Sequence, residues 1–208
     1  IRDRSISKHA TATVKFVQQT GGRGQYAHVV IDIFPAEKGS GIDFASNIKA
    51  GAIPREFIPA VKKGIIDGAA SGVLAGYPVT DISIKLIDGS FHKVDSSELA
   101  FKTAGSMALT EGLRKASPIL LEPIMLVEVT VPEEFLGDII GDFNSRRARI
   151  EDVGVRGNVK TVKGFVPLSE MFGYATALRN LTQGRATYTM EPSHYEEVPA
   201  HIAEEVIG

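Results

Sequence analysis

The stretch Met125-Leu126-Val127-Glu128-Val129-Thr130-Val131-Pro132-Glu133-Glu134-Phe135-Leu136-Gly137-Asp138-Ile139-Ile140-Gly141-Asp142-Phe143 changes its hydrophobic period in the middle. Before Pro132, Met125, Val127, Val129 and Val131 alternate, the period of a strand with one buried face. After it, Phe135, Leu136, Ile139, Ile140 and Phe143 fall at helical spacing and form one apolar stripe. Pro132 suits the start of that helix, and Glu133 and Glu134 complement its positive end. Two strands follow, at about Ile150 to Val155 and Lys160 to Pro167, joined at Arg156-Gly157-Asn158. Ser169 reads as the cap of a second helix with Phe172, Ala175 and Leu178 inward, and a last strand covers about Ala186 to Glu191. The order is βαββαβ, the ferredoxin-like split pattern. Residues 199–208 read as a short terminal helix after Pro199.

Upstream the pattern is different. Ala10 to Gln18 reads as a strand, broken by Gly21-Gly22-Arg23-Gly24, a hairpin-type tip. A second strand runs from about Ala27 to Phe34 and a third from about Asp43 to Ile48. Pro54 opens a helix with Phe57, Ile58, Val61 and Ile65 at helical spacing, and Gly72 ends it. Val79 to Ile87 alternates as a strand, and a turn at Asp88-Gly89-Ser90 leads to Phe91-His92-Lys93. Ser96 or Ser97 caps the next helix, which runs to about Lys115 with Leu99, Thr103, Met107 and Leu113 as its expected buried side.

Charge divides the chain at the same place as pattern. Residues 1–122 hold 15 Lys+Arg against 12 Asp+Glu, whereas residues 123–208 hold 8 against 13. Pro118 and Pro123 bracket a short apolar connector, Ile119-Leu120-Leu121. The expectation is an α+β chain of two domains, 1–122 and 123–208, the latter including the terminal helix.

Composition excludes several chemistries. With no cysteine among 208 residues, disulfides, cysteine zinc sites, iron–sulfur clusters and cysteine nucleophiles are ruled out. No apolar run is long enough to span a bilayer. The charged start Ile1-Arg2-Asp3-Arg4 gives no expectation of a signal peptide, which fits a cytoplasmic protein. A net charge of −2 and a pI near 6.2 differ from the strongly basic balance of a general nucleic-acid coat, so any RNA contact should be local. No G-x-x-x-x-G-K-[ST] phosphate loop occurs, and the Gly21–Gly24 run lacks the Lys-Ser/Thr pair that would make one. The histidines His9, His28, His92, His194 and His201 show no metal-ligand spacing. Ser96-Ser97-Glu98 lies near His92 but without a G-x-S-x-G elbow, and a helix cap accounts for it. Asp138 and Asp142, four apart on a helix, read as a solvated face. No catalytic residue and no metal site are expected. Phe91 suits stacking on a base or anchoring its loop. Arg146-Arg147-Ala148-Arg149, at a helix end, suits either the helix dipole or a phosphate clamp.

Several motifs carry a resemblance. Gln18-Gln19-Thr20-Gly21-Gly22-Arg23-Gly24-Gln25-Tyr26, Asp88-Gly89-Ser90-Phe91-His92-Lys93-Val94-Asp95-Ser96-Ser97-Glu98 and Leu121-Glu122-Pro123-Ile124-Met125 resemble signatures of the translational elongation factor G family. So do Gly141-Asp142-Phe143-Asn144-Ser145-Arg146-Arg147, Val166-Pro167-Leu168-Ser169-Glu170-Met171-Phe172-Gly173-Tyr174-Ala175-Thr176 and Thr182-Gln183-Gly184-Arg185. They run in family order along the whole chain, and together resemble the fourth and fifth domains. Ala27 stands where the family commonly has glycine, and Phe91 where it commonly has tyrosine.

The resemblance implies a left-handed βαβ crossover in the first domain and a ferredoxin-like second domain. It implies a monomeric, ribosome-binding part of a translocase, without membrane contact. The parent would bind GTP and Mg in a GTPase domain not contained in these residues. Partners would be the rRNA of both subunits, tRNA, mRNA and stalk-base proteins. Gly21, Gly22, Arg23, Gly24 and Gln25 match one tip loop, and Ser90, Phe91, His92 and Lys93 the other. The implied role of His92 is contact with RNA backbone or 2′-OH, without proton transfer. Arg23 and Lys93 would add phosphate contacts, while Gly22 and Gly24 would let backbone approach RNA. Asn144, Arg146 and Arg147 match the segment that meets the large-subunit stalk base, or alternatively serve between domains. A ribosome-recycling or ribosome-protection paralogue shares this architecture. A standalone RNA-binding module and a small-molecule kinase or ATPase of related fold are the readings from other classes, the last lacking its phosphate loop.

Overall fold

Alternating apolar residues on two separate sets of strands give the chain two sheets. The structure, a computed structural model, describes residues 3–19, 21–71 and 77–207. Gly72, expected to end the first helix, lies outside the described residues, as do Thr20, Ile1 and Arg2. The fold is mixed α+β with helices and strands interleaved.

After a short strand β1 (Asp3–Ile6), the first sheet is built from β2 (Ala10–Gln18), β3 (Gln25–Pro35), β4 (Ile42–Ser46) and β5 (Ile82–Ser90), in the order β2-β3-β5-β4. β2 and β5 are antiparallel to β3, whereas β4 and β5 are parallel. The parallel pair is joined through α1 (Ile58–Ser71), entered by a single 3-10 turn after Pro54. Val29, Ile31 and Ile33 of β3 and Ile82, Ile84 and Leu86 of β5 are fully buried beneath the helices. Each such side chain is worth about 1.5–3 kcal/mol when removed from water.

The second helix, α2 (Glu98–Lys115), differs from expectation in its buried face. Leu99 and Met107 are exposed, and the inward residues are Ala100, Phe101, Ala104, Gly105, Ala108, Leu109, Gly112 and Leu113. The reason is close packing against α1. A Cβ on Gly64 would lie 2.0 Å from the Lys102 carbonyl oxygen, and one on Gly105 would lie 2.6 Å from that of Val61. Small residues therefore mark the contact, and a reading that follows large apolar side chains selects the wrong stripe.

The second sheet uses β6 (Pro118–Pro132), β7 (Arg149–Arg156), β8 (Val159–Pro167) and β9 (Thr187–Glu197), with β9 beside β6, β6 beside β8 and β8 beside β7. The helices α3 (Leu136–Ser145) and α4 (Tyr174–Thr182) complete the βαββαβ order. Val127, Val129, Val131, Ile139, Phe143, Val162, Val166, Tyr174 and Leu178 form its core. Two local expectations are corrected. Ser169 does not cap a helix: it sits in the 3-10 turn Leu168–Glu170, and α4 starts later, behind Gly173 in a left-handed conformation (φ +73°). The later start rotates the stripe, so Tyr174, Leu178 and Thr182 point inward, Ala175 is exposed and Phe172 is 82% exposed.

The chain divides into two compact units between Leu121 and Glu122. Ile119-Leu120-Leu121 is not a loose connector but the start of β6, paired antiparallel with β1. The second unit is Glu122–Glu197, and the C-terminal segment from Val198, with α5 (Ala200–Ile207), groups with the first unit rather than with the ferredoxin-like half. There the Val198 N–H donates to the Leu120 carbonyl at 2.9 Å. Among the described residues no helix is long and apolar enough to cross a membrane.

Candidate nucleic-acid interface

The β2–β3 hairpin and the β5–α2 loop come from segments some seventy positions apart in sequence, and β3 pairs with both β2 and β5. Asp88, Gly89 and Ser90, expected as a turn, instead continue β5: they pair with Val30, Val29 and His28, past a register shift between Val30 and Ile31. That extension brings Phe91 to Ser97 beside the hairpin.

Hydrogen bonds then fasten one loop to the other. The Tyr26 N–H donates to the Asp95 carbonyl at 2.9 Å. Ser96 is buried at 7% exposure; its Oγ donates to the Tyr26 carbonyl at 2.8 Å and accepts from the His92 N–H at 2.9 Å. Arg23 Nε donates to the Val94 carbonyl at 2.9 Å. Ser90 Oγ lies 2.8 Å from the Tyr26 hydroxyl and 2.9 Å from His28 Nδ1. Ser97 is the cap of α2, accepting from the Ala100 N–H at 3.1 Å. The two adjacent serines thus divide the two tasks, a distinction the sequence left open.

The expected tip residues come together, with distinct surroundings. Gly21, Gly22, Arg23, Phe91, His92 and Lys93 are exposed, whereas Gln25 and Ser90 are half-buried. Gly24 is buried, and a Cβ there would lie 3.2 Å from the Asp95 carboxylate. Its small size therefore serves packing both within the hairpin, where the same Cβ would lie 3.1 Å from the Gln18 carbonyl oxygen, and against the second loop. Lys93 makes no ion pair among the described residues, so its charge is available to solvent. Lys15 lies over the Tyr26 ring, 5.6 Å from its centroid, and adds a second cation nearby. Sequence reasoning missed Tyr26, Ser96 and Asp95 as parts of this assembly. Only their place inside the quoted motifs hinted at it.

The helix-end segment of the second unit is arranged otherwise. Asn144 is exposed at the end of α3. Arg146 bonds Asp142 Oδ2 at 2.9 Å and the Glu170 carbonyl at 2.5 Å, and lies over the Tyr174 ring at 4.9 Å. Asp142 is consequently not part of a solvated face. Arg147, in a left-handed conformation (φ +56°), makes a bidentate pair with Glu122 at 2.8 and 3.1 Å. Its Nε bonds Glu170 at 3.1 Å. The Glu122 hydrogen bonds, opposed by burial and reinforced by Glu170, hold its guanidinium above the usual range, firmly charged. Both guanidiniums are thus engaged with groups of their own unit. The exposed aromatic in this region is Phe172.

Among the described residues no cluster of three His, Asp or Glu side chains is placed to hold a metal ion. Comparisons with known proteins bear on what such a surface does. The family model described as elongation factor G, domain IV matches residues 1–117, and that described as elongation factor G C-terminus matches residues 119–206. The chain is 55% identical over 204 residues to elongation factor G of Aquifex pyrophilus, covering 98% of this chain and 29% of that protein. A crystal structure of a Thermus thermophilus protein superposes with a TM-score of 0.88 at 41% identity, covering 99% of this chain and 31% of that one. The chain therefore spans less than a third of the length of these relatives.

Proposed function

The chain belongs to the elongation factor G family, and on that premise we propose that it is the ribosome-binding C-terminal part of a translational GTPase that moves tRNA and mRNA through the ribosome. In this reading the first unit enters the decoding region of the small subunit with the joined loops leading. The observation that carries it is the stitched tip, in which two distant loops are bonded into one body that exposes His92, Lys93, Phe91 and Arg23. A fixed shape with few charges suits RNA recognised by backbone and form. The chain's net charge of −2 keeps general attraction to phosphate low, so contact is confined to the tip and reversible.

The second unit would meet the stalk base of the large subunit. Asn144 is exposed and free to make that contact, while Arg146 and Arg147 act by holding α3 against Glu122 and Glu170. GTP and Mg would bind the GTPase domain of the parent, and this chain supplies binding and positioning without catalysis.

The test is single-round translocation by the full-length factor carrying His92→Ala, measured beside ribosome-stimulated GTP hydrolysis. Slowed translocation with hydrolysis retained supports the reading. Unchanged translocation refutes the tip, and a subunit-splitting assay then tests ribosome recycling as the activity.

A further inference from the structure

The His92 ring has two nitrogens, and the structure uses only one of them internally. Nδ1 accepts hydrogen bonds from the backbone N–H groups of Val94 and Asp95, each at 3.2 Å. Both donors carry their hydrogen permanently, so Nδ1 must offer its lone pair and cannot carry a proton there. The proton of a neutral imidazole then resides on Nε2, on the far side of the ring from the two amides. No described residue bonds Nε2, and the side chain is 54% exposed. The backbone of the same residue is fixed as well, its N–H by Ser96 Oγ and its carbonyl by the Ser96 N–H at 3.1 Å. The Asp95 carboxylate lies 3.6 Å from Nδ1, outside hydrogen-bonding distance, and is the one group in the loop that would favour a protonated ring. Nearby, Tyr26 offers its ring at 6.3 Å and Arg23 is occupied by the Val94 carbonyl.

We infer that His92 performs two separable tasks: Nδ1 locks the tip loop as an acceptor of two amides, and Nε2–H is presented outward as a donor to a hydrogen-bond acceptor on RNA. The inference rests on the ribosomal reading for the identity of the partner, but not for the state of the ring. A donor of this kind selects phosphate oxygens, 2′-oxygens or base acceptor atoms and does not read exocyclic amines. It makes the tip contact directional rather than a matter of charge, which Lys93 supplies.

Two amide-bearing side chains separate the tasks. Asparagine places its oxygen near the position of Nδ1 and keeps the lock while losing the outward donor. Glutamine reaches the position of Nε2 with an N–H but does not accept from the two amides. The first measurement is the tautomer, read from the ring nitrogens of His92 by NMR of the chain at neutral pH. In the neutral ring the proton is expected on Nε2; a neutral ring with its proton on Nδ1 overturns the inference and leaves the ribosomal reading standing. The second is amide exchange at Val94 and Asp95. It should be faster by roughly tenfold in His92→Gln and near the original rate in His92→Asn. Equal exchange in both variants overturns the locking task. The third is translocation by the full-length factor carrying His92→Asn, which should be slowed as in His92→Ala. If His92→Ala slows translocation while His92→Asn does not, the Nε2 donor is dispensable and the inference fails. If neither variant slows it, the ribosomal reading fails instead.

Discussion

Replacing Ser96 with alanine tests whether the tip is one body. The substitution changes a single buried atom, Oγ, which bridges the His92 N–H at 2.9 Å and the Tyr26 carbonyl at 2.8 Å. At 7% exposure, water does not readily replace it. An intramolecular hydrogen bond contributes about 0.5–1.5 kcal/mol, and a buried group left unpaired costs about 1–3 kcal/mol. The Tyr26 N–H to Asp95 carbonyl link and the Ser96 N–H to His92 carbonyl link still hold the loops together, but neither satisfies the His92 N–H or the Tyr26 carbonyl that the substitution leaves without Oγ. The expected loss is therefore about 2 kcal/mol in urea denaturation of the chain. Ser97→Ala is the matched control, because it removes the α2 cap at a cost of about 1 kcal/mol without touching either loop. The decisive readout is local: Ser96→Ala should speed amide exchange at His92, whereas Ser97→Ala should speed it at Ala100. A Ser96→Ala protein within about 0.5 kcal/mol of the parent, with unchanged exchange at His92, would refute the bridging argument.

Other outcomes follow from the second unit. Arg147→Ala strands the Glu122 carboxylate, which is 4% exposed, and should cost about 3 kcal/mol; Arg147→Lys, which cannot form the two-toothed pair, should recover only part of it in the same denaturation assay. Tyr174→Phe should stabilise the chain by about 1 kcal/mol, because the Tyr174 hydroxyl is buried without a partner. Burial holds that phenol above its ordinary range, so the unfolded chain ionises first as pH rises through about 10. Stability tied to Tyr174 is thus complete below that pH and lost above it, and the alkaline loss measured by pH-dependent denaturation should shrink in Tyr174→Phe. Phe172→Ala should leave stability within about 0.5 kcal/mol in the same denaturation assay, since the ring is 82% exposed.

What the sequence made legible was what repeats. Alternation in Met125 to Val131 and the stripe from Phe135 to Phe143 gave the βαββαβ order directly, because one buried face imposes one period. Contacts made by small residues stayed hidden: α2 buries Ala104, Gly105 and Ala108, whose importance lies in backbone approach rather than in apolar bulk. Phe172 failed for a related reason, since the left-handed Gly173 delays the helix start and turns the stripe past it. At the tip, motif likeness gave the exposed residues, but not the bonds among Tyr26, Asp95 and Ser96, which depend on a register shift in β5 that no local pattern announces. Arg146 and Arg147 looked equally suited to phosphate or to a helix end. The carboxylates that engage them, Glu122 and Glu170, are distant in sequence and become visible only in the fold.

A crosslinking experiment tests the central claim most directly. A photoreactive group attached at Lys93 of the full-length factor, stalled on a ribosome carrying tRNA and mRNA, samples what the tip touches. The account predicts crosslinks to small-subunit RNA of the decoding region, or to the tRNA and mRNA held there. Crosslinks confined to other ribosomal surfaces, with the factor bound and hydrolysing GTP, would contradict it.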